Sequence, residues 1–222
     1  MIDNGPRGVI KCYRRDPAPV IHFQRHIMIF DSLRALVLRT RSYRSYDQSR
    51  PAEEDLLREL VDTARLCSSA GNLQPLKYRL CTERDEVEGV TSLTKWAAYL
   101  TDITLPPDGH HPTAYIVICH DTDVCPVSSM SMVDVGIAAE AIALGATETG
   151  YGSCMIGSFD KSGISAFLSI PKNLTPVLIM ALGTPDESVL ISAVNRGDTK
   201  YFRDDAGLHF VPKRDLEDVI VN

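Results

Sequence analysis

The stretch Met132-Val133-Asp134-Val135-Gly136-Ile137-Ala138-Ala139-Glu140-Ala141-Ile142-Ala143-Leu144-Gly145-Ala146-Thr147-Glu148-Thr149, stopped by Gly150, decides the fold. It reads as the longest helix of the chain, with glycine as its terminator. Its small residues permit close backbone approach, and Ile137, Ile142 and Leu144 do not share one face. A helix apolar on more than one side must be covered on more than one side. A single modest domain would struggle to cover it, so a second copy of the chain is expected on part of its surface. The alternative is a central helix of one monomer.

On either side of this helix the pattern alternates between helix and strand. Leu33, Leu36 and Val37 recur at helical spacing from Phe30 and run into the basic stretch Arg39–Arg44. Pro51 is expected to open a second helix, with Glu53, Glu54 and Asp55 in its first turn, where acids suit the macrodipole. Leu56, Leu57, Leu60, Val61 and Ala64 form its stripe, and it should end near Ser68–Gly71. Strands are expected at Tyr78–Thr82, Tyr115–His120 and Val177–Leu182, with further helices at Lys161–Ser169 and Leu216–Val221. No strict βαβ rhythm appears, so the class is α+β.

Composition bounds the function. The chain has 222 residues, enough for one domain with a sizeable core, and a formal charge of −6. Residues 1–27 carry five basic and two acidic side chains, a local +3 that leaves −9 for the rest. They are expected to form an N-terminal arm or leader, with a short strand at Val20–Phe23 and Met28 as an alternative start; residues 28–222 form one domain. An acidic body argues against nucleic acid as a partner. Stretches such as Ala114–Cys119 are too short to cross a bilayer, and no secretory signal opens the chain, so no membrane association and a cytoplasmic location are expected. The six cysteines, Cys12, Cys67, Cys81, Cys119, Cys125 and Cys154, form no paired motif and read as mostly buried free thiols. Cys119-His120 with Cys125 lacks the paired four-ligand spacing of zinc, and no metal is expected.

Three segments can carry chemistry. Arg41-Ser42-Tyr43-Arg44 offers guanidinium forks and a hydroxyl to a phosphate. Ser68-Ser69-Ala70-Gly71-Asn72-Leu73-Gln74-Pro75 places backbone groups and two amide side chains at a helix end. Gly150-Tyr151-Gly152-Ser153-Cys154-Met155-Ile156-Gly157-Ser158 has the glycine spacing of a P-loop, but Ser158-Phe159 stands where Lys-Ser/Thr is required. Nor does it follow a strand, as a dinucleotide fingerprint must. A glycine-rich strip lying flat against a planar ring fits better. Taken singly, each segment also has a bland reading as a solvated turn or polar connector.

Together, in this order and spacing, they resemble the nitroreductase superfamily. Arg41–Tyr46 is similar to that family's Arg-Arg-Ser-x-Arg-x-Phe opening, Ser68–Pro75 to Pro-Ser-x-x-Asn-x-Gln-Pro, and Gly150–Ser158 to Gly-Leu-Gly-x-x-x-Ile-Gly. Ile179–Pro185 is similar to the Ala-Leu-Gly-x-Pro strand, and His209–Arg214 to the basic tail. Three positions depart from the pattern: Thr40 for the first arginine, Ser68 for proline, and Leu76 for a tryptophan.

The resemblance implies an α/β/α sandwich with a mainly antiparallel central sheet, entwined as a homodimer with flavin mononucleotide (FMN) between the subunits. Arg41, Ser42, Lys213 and Arg214 would hold the phosphate, and Arg44 would face the pyrimidine edge. Ser68, Ser69, Ala70, Asn72 and Gln74 would come from the other subunit. Met155, Ile156, Gly157 and Ser158 would lie beside the ring and its N5. It further implies hydride transfer from NADH or NADPH through that N5 to a nitroaromatic, quinone or similar electrophile, in a ping-pong cycle. Arg44 would lend electrostatic support, with no catalytic side chain. The alternatives are a reductive dehalogenase, a flavin-fragmenting enzyme, or a flavin-binding or sensory protein without turnover. His110 and His111 are expected to be solvated loop residues, and Trp96 and Tyr99 to serve in packing rather than as a lid.

Overall fold

A computed structural model of the chain describes residues 31–221. The arm expected over 1–27, the strand at Val20–Phe23 and the alternative start at Met28 lie outside the described residues. The described chain forms two compact units, one running to Glu187 and the other beginning at Ser188.

In the first unit α1 (Asp31–Arg39), β1 (Tyr46–Asp47), α2 (Glu54–Ala64), β2 (Leu76–Cys81), α3 (Arg84–Ser92), β3 (Ala114–Asp121), α4 (Ser129–Glu148), β4 (Gly152–Ile156), α5 (Lys161–Phe167) and β5 (Leu174–Pro185) follow in order. Every pairing in its five-stranded sheet is antiparallel: β3 lies between β2 and β5, while β4 and β1 share the other edge of β5. All eight residues of β3 are buried, because the sheet is covered on both faces. Ala114, Ile116 and Ile118 point into one core with Leu57, Leu60 and Ala64 of α2 and Ala139, Ile142 and Ala146 of α4. Tyr115, Val117 and Cys119 point into the other, with Val87 and Val90 of α3 and Ile164 of α5. The period-two alternation of a strand thus builds an α/β/α sandwich, as expected.

The central helix begins earlier than hydrophobicity alone suggests. Ser128 caps it, its hydroxyl accepting Ser131 N–H at 3.2 Å while Ser131 Oγ accepts Ser128 N–H at 2.9 Å. At the other end Gly150 adopts φ 86°. Gly150 N–H donates to Thr147 O and Tyr151 N–H to Ala146 O, at 3.2 and 2.8 Å, which is a Schellman closure. Gly145 lets α4 approach α2, since a Cβ there would stand 2.8 Å from Leu60 Cδ2. With 20 residues and a mean hydropathy of 1.4, α4 has the length and composition to cross a bilayer, yet half of it is buried inside the fold. It is a core helix.

Several boundaries differ from expectation, and α2 ends at Ala64 rather than near Ser68–Gly71. Pro51 precedes its helix by three residues, and Glu53 is the N-cap. Leu216–Asp218 is one 3-10 turn rather than a helix to Val221. The glycine-rich strip holds a strand, Gly152–Ile156, paired with Ile179–Gly183. The second unit holds β6 (Val189–Ala193), β7 (Phe202–Arg203) and β8 (His209–Lys213), with β8 parallel to β6 and antiparallel to β7.

Candidate functional site

Two of the three expected segments meet along one edge. The chain leaves α1 and runs beside β4: Ser42 bridges Ser153 in parallel, and Tyr43 N–H donates to Ser153 O at 3.0 Å. Thr40, where the family pattern has arginine, holds this junction, its hydroxyl donating to Leu36 O at 2.9 Å and meeting Thr147 Oγ1 of α4 at 3.1 Å. Gly152 gives Tyr43 its place, because a Cβ there would stand 2.5 Å from Tyr43 Cδ2. Tyr46, fully buried, donates its hydroxyl to Tyr43 O at 2.6 Å.

The cations are held along this edge. Arg41 Nη2 donates to Val37 O at 2.7 Å, while its Nε is a buried donor without a partner among the described residues. Burial lowers the Arg41 pKa, with Tyr43 and Glu140 acting in the opposite sense; a partly desolvated cation with an open donor is a site for an anion. Arg44 is buried, donating Nη1–H to Ser42 O at 3.2 Å, and its backbone N–H donates to Glu187. The Ser42 side chain is exposed. At the end of β4 and just after it, Met155, Gly157 and Ser158 are exposed, whereas Ile156 points into the core, so only its backbone faces outward. Open space lies over Gly157, where a Cβ would meet nothing within 4 Å.

The third segment stands elsewhere. Ser69 Oγ–H and Ala70 N–H both donate to Asp134 of α4, and Gln74 N–H donates to Ser69 Oγ. Asn72 and Gln74 are exposed and bind each other, Gln74 Nε2 to Asn72 Oδ1 at 3.1 Å. Ser68, Ser69 and Gln74 line a cleft of about 180 Å³ with Arg65, Lys77 and Asp134. Asp134 lies thirteen residues from Thr147 along α4, about 20 Å at 1.5 Å per residue. Within one chain the Ser68–Gln74 loop and the Arg41–Arg44 edge therefore sit at opposite ends of that helix.

The family model described as the nitroreductase family matches residues 37–115 and 128–184. The chain belongs to the nitroreductase family. Among curated proteins, this nitroreductase-family chain is 27% identical over 167 residues to the Archaeoglobus fulgidus protein named "Putative NADH dehydrogenase/NAD(P)H nitroreductase", covering 72% of this chain and 90% of the relative. Among solved structures, it is similar to a nitroreductase family protein of Clostridium difficile (25% identity, TM-score 0.54, 68% of this chain and 83% of that one). It shares the fold of the Streptococcus pneumoniae nitroreductase family protein at 16% identity and TM-score 0.63, over 86% and 100% of the two chains. It also shares the fold of an FMN-dependent nitroreductase of Clostridium difficile at 22% identity and TM-score 0.58, over 73% and 92%.

Lys213 ends β8 in the second unit and Arg214 follows it, both exposed. His110 is not a plain solvated residue, since its Nδ1 lies 2.7 Å from Asp186 Oδ2. Trp96 packs partly buried against the second core, as expected, its Nε1–H donating to Thr94 Oγ1 at 2.9 Å. Two functional neighbours escaped sequence reasoning: Asp134, an acid inside an apolar helix, and Glu187, which follows the Ala-Leu-Gly-x-Pro strand. The available signal was an acid in an otherwise apolar stretch near the start of that helix, because a buried acid must have donors.

Proposed function

We propose that this chain is an FMN-dependent oxidoreductase that carries electrons from NADH or NADPH to a nitroaromatic, quinone or similar electrophilic acceptor, as a cytoplasmic homodimer. One observation carries the reading: a family member presents, along a single edge, the buried unpartnered Nε of Arg41, the Ser42 hydroxyl, the buried Arg44 and the open strip at Gly157. These residues fit FMN. Arg41 and Ser42 supply charge and a neutral donor to the phosphate, and the resemblance adds Lys213 and Arg214. Held by these residues, FMN would supply hydride-transfer chemistry between a nicotinamide and the acceptor.

The protein positions and polarises. The Arg44 guanidinium would favour negative charge on the pyrimidine edge and so make reduction easier. Met155, Gly157 and Ser158 offer a flat surface for the ring, with Ile156 contributing backbone only. The Ser68, Ser69, Ala70, Asn72 and Gln74 loop is assigned to the partner subunit, because it lies about 20 Å along α4 from Thr147 in its own chain. The outward face of α4 supports such a partner: Met130, Val133 and Ile137 are 57, 51 and 37% exposed at helical spacing. A two-fold, antiparallel pairing of α4 with its copy would bury that stripe and carry each loop to the partner's basic edge.

Absorbance tests the reading. Purified or FMN-reconstituted protein should be yellow, bleach with NADH or NADPH, and recover its colour on addition of a quinone or nitroarene. Persistent colour with both donors would mark a flavin-binding protein without turnover, and a colourless chain that cannot be reconstituted would end the proposal. Replacing Arg41 and Arg214 together by alanine should leave a folded, flavin-poor protein.

A further inference from the structure

Asp134 sits on the inner face of α4 and is only 5% exposed. Among the described residues no lysine, arginine or histidine forms an ion pair with it. Its Oδ2 accepts Ser69 Oγ–H at 2.8 Å and its Oδ1 accepts Ala70 N–H at 2.9 Å. Ser69 Oγ then accepts Gln74 N–H at 3.0 Å, so one helix side chain ties down both ends of a six-residue loop.

That loop needs holding. Gly71, Asn72 and Gln74 have φ of 57°, 54° and 55°, and the last two are left-handed without being glycine. Such residues are strained and persist only where the surroundings over-determine them. Packing does not supply this, for the loop borders a cleft of about 180 Å³ and Asn72 and Gln74 are exposed. A buried carboxylate is itself costly. A neutral asparagine would avoid that cost, but it has one acceptor oxygen rather than two and makes weaker bonds.

We propose that Asp134 is the positioning residue of the cofactor site: it holds Ser69–Gln74 in its left-handed path, so that the loop is set for the planar ring before the ring arrives. It does so from the helix that also carries, on the adjoining outward face, the stripe assigned to the partner, and thereby ties loop geometry to the subunit interface. This inference rests on the flavin reading above.

The test uses the full chain, with FMN as probe, and the variants Asp134→Asn, Ser69→Ala and their double. Hydrogen exchange of the Ala70 and Gln74 amides in the FMN-free protein should accelerate about tenfold in each single variant, while interior α4 amides such as Ile142 keep their protection. Affinity for FMN should fall about tenfold, the scale of one charge-assisted hydrogen bond. The double variant should be no worse than the weaker single, because both remove one network. Wild-type exchange at Ala70 and Gln74 in Asp134→Asn, undiminished FMN affinity, or equal loosening along all of α4 would each overturn the proposal. Wild-type protein that takes up no FMN would instead sink the flavin reading, and the exchange measurement alone would then decide whether Asp134 holds the loop.

Discussion

Replacing Gly157 by alanine separates the ring surface from the scaffold beneath it. A Cβ at this position meets nothing within 4 Å, and the backbone is not left-handed, so the FMN-free protein has no clash to absorb. Gly→Ala at a compatible site stabilises by about 0.4–1 kcal/mol through the unfolded chain, or about 1–4 °C in Tm at this chain length. A ring lying flat on the strip would need carbon contacts near 3.5–4.0 Å, and the new methyl would stand in that space. Affinity for FMN should therefore weaken at least about tenfold, or 1.4 kcal/mol. Gly152→Ala is the matched contrast, because its Cβ would stand 2.5 Å from Tyr43 Cδ2 and 2.6 Å from Pro185 Cγ. Both neighbours must retreat by about 1 Å, at about 1–3 kcal/mol or about 2–12 °C in Tm. Thermal unfolding of the FMN-free variants and FMN titration by fluorescence measure both effects. Gly157→Ala protein that binds FMN with wild-type affinity would refute the placement of the ring, and a Tm loss as large as that of Gly152→Ala would refute the open space.

Other perturbations probe the remaining parts. Ile137→Glu places a charge on the outward stripe of α4; the fold should survive while sedimentation reports a monomer and FMN affinity drops, and an intact dimer would move the interface elsewhere. Leu57→Ala empties a fully buried position between α2 and the sheet and should cost about 2–5 kcal/mol in urea unfolding. Burial pushes Cys81 up to about 12 and Cys119 and Cys154 to about 11. At pH 8 an aromatic disulfide reagent should thus label the partly exposed Cys67 and Cys125 well before these three. Because those pKa values are raised, the folded state holds the thiol protons more tightly. Their contribution is complete below the ordinary value of 9.0 and fades as pH climbs through 11–12. Urea stability should decline over that interval, and a flat profile would contradict the burial of the thiols.

Much of the fold was legible because a few segments follow a single rule without interference. β3 and β5 contain apolar runs with β-branched residues, β2 alternates Leu76, Tyr78 and Leu80 with Lys77 and Arg79, and the stripe of α2 repeats at helical spacing. What was not legible depended on partners distant in sequence. Arg84–Ser92 shows only Val87 and Val90 as apolar anchors and contains Gly89, which lowers its helical signal. The glycine is there because the Phe167 ring of α5 occupies the place of a Cβ, at 2.1 Å from Cζ. The strand in Gly150–Ser158 was not legible because its glycines weaken strand propensity, yet Gly152 and Gly183 face each other in register and accommodate Tyr43 and Tyr46.

The sequence by itself determined the sheet-and-helix composition, the two-sided apolar character of α4 and the types of residue able to meet a phosphate and a planar ring, because these depend on local periodicity and side-chain chemistry. Only the tertiary structure decided which of them meet. It aligned Arg41–Arg44 with β4 through backbone bonds, set the Ser68–Gln74 loop some 20 Å along α4 from Thr147, and gave Asp134 its donors. Such contacts join residues tens of positions apart, and their energies depend on distances that no single segment encodes.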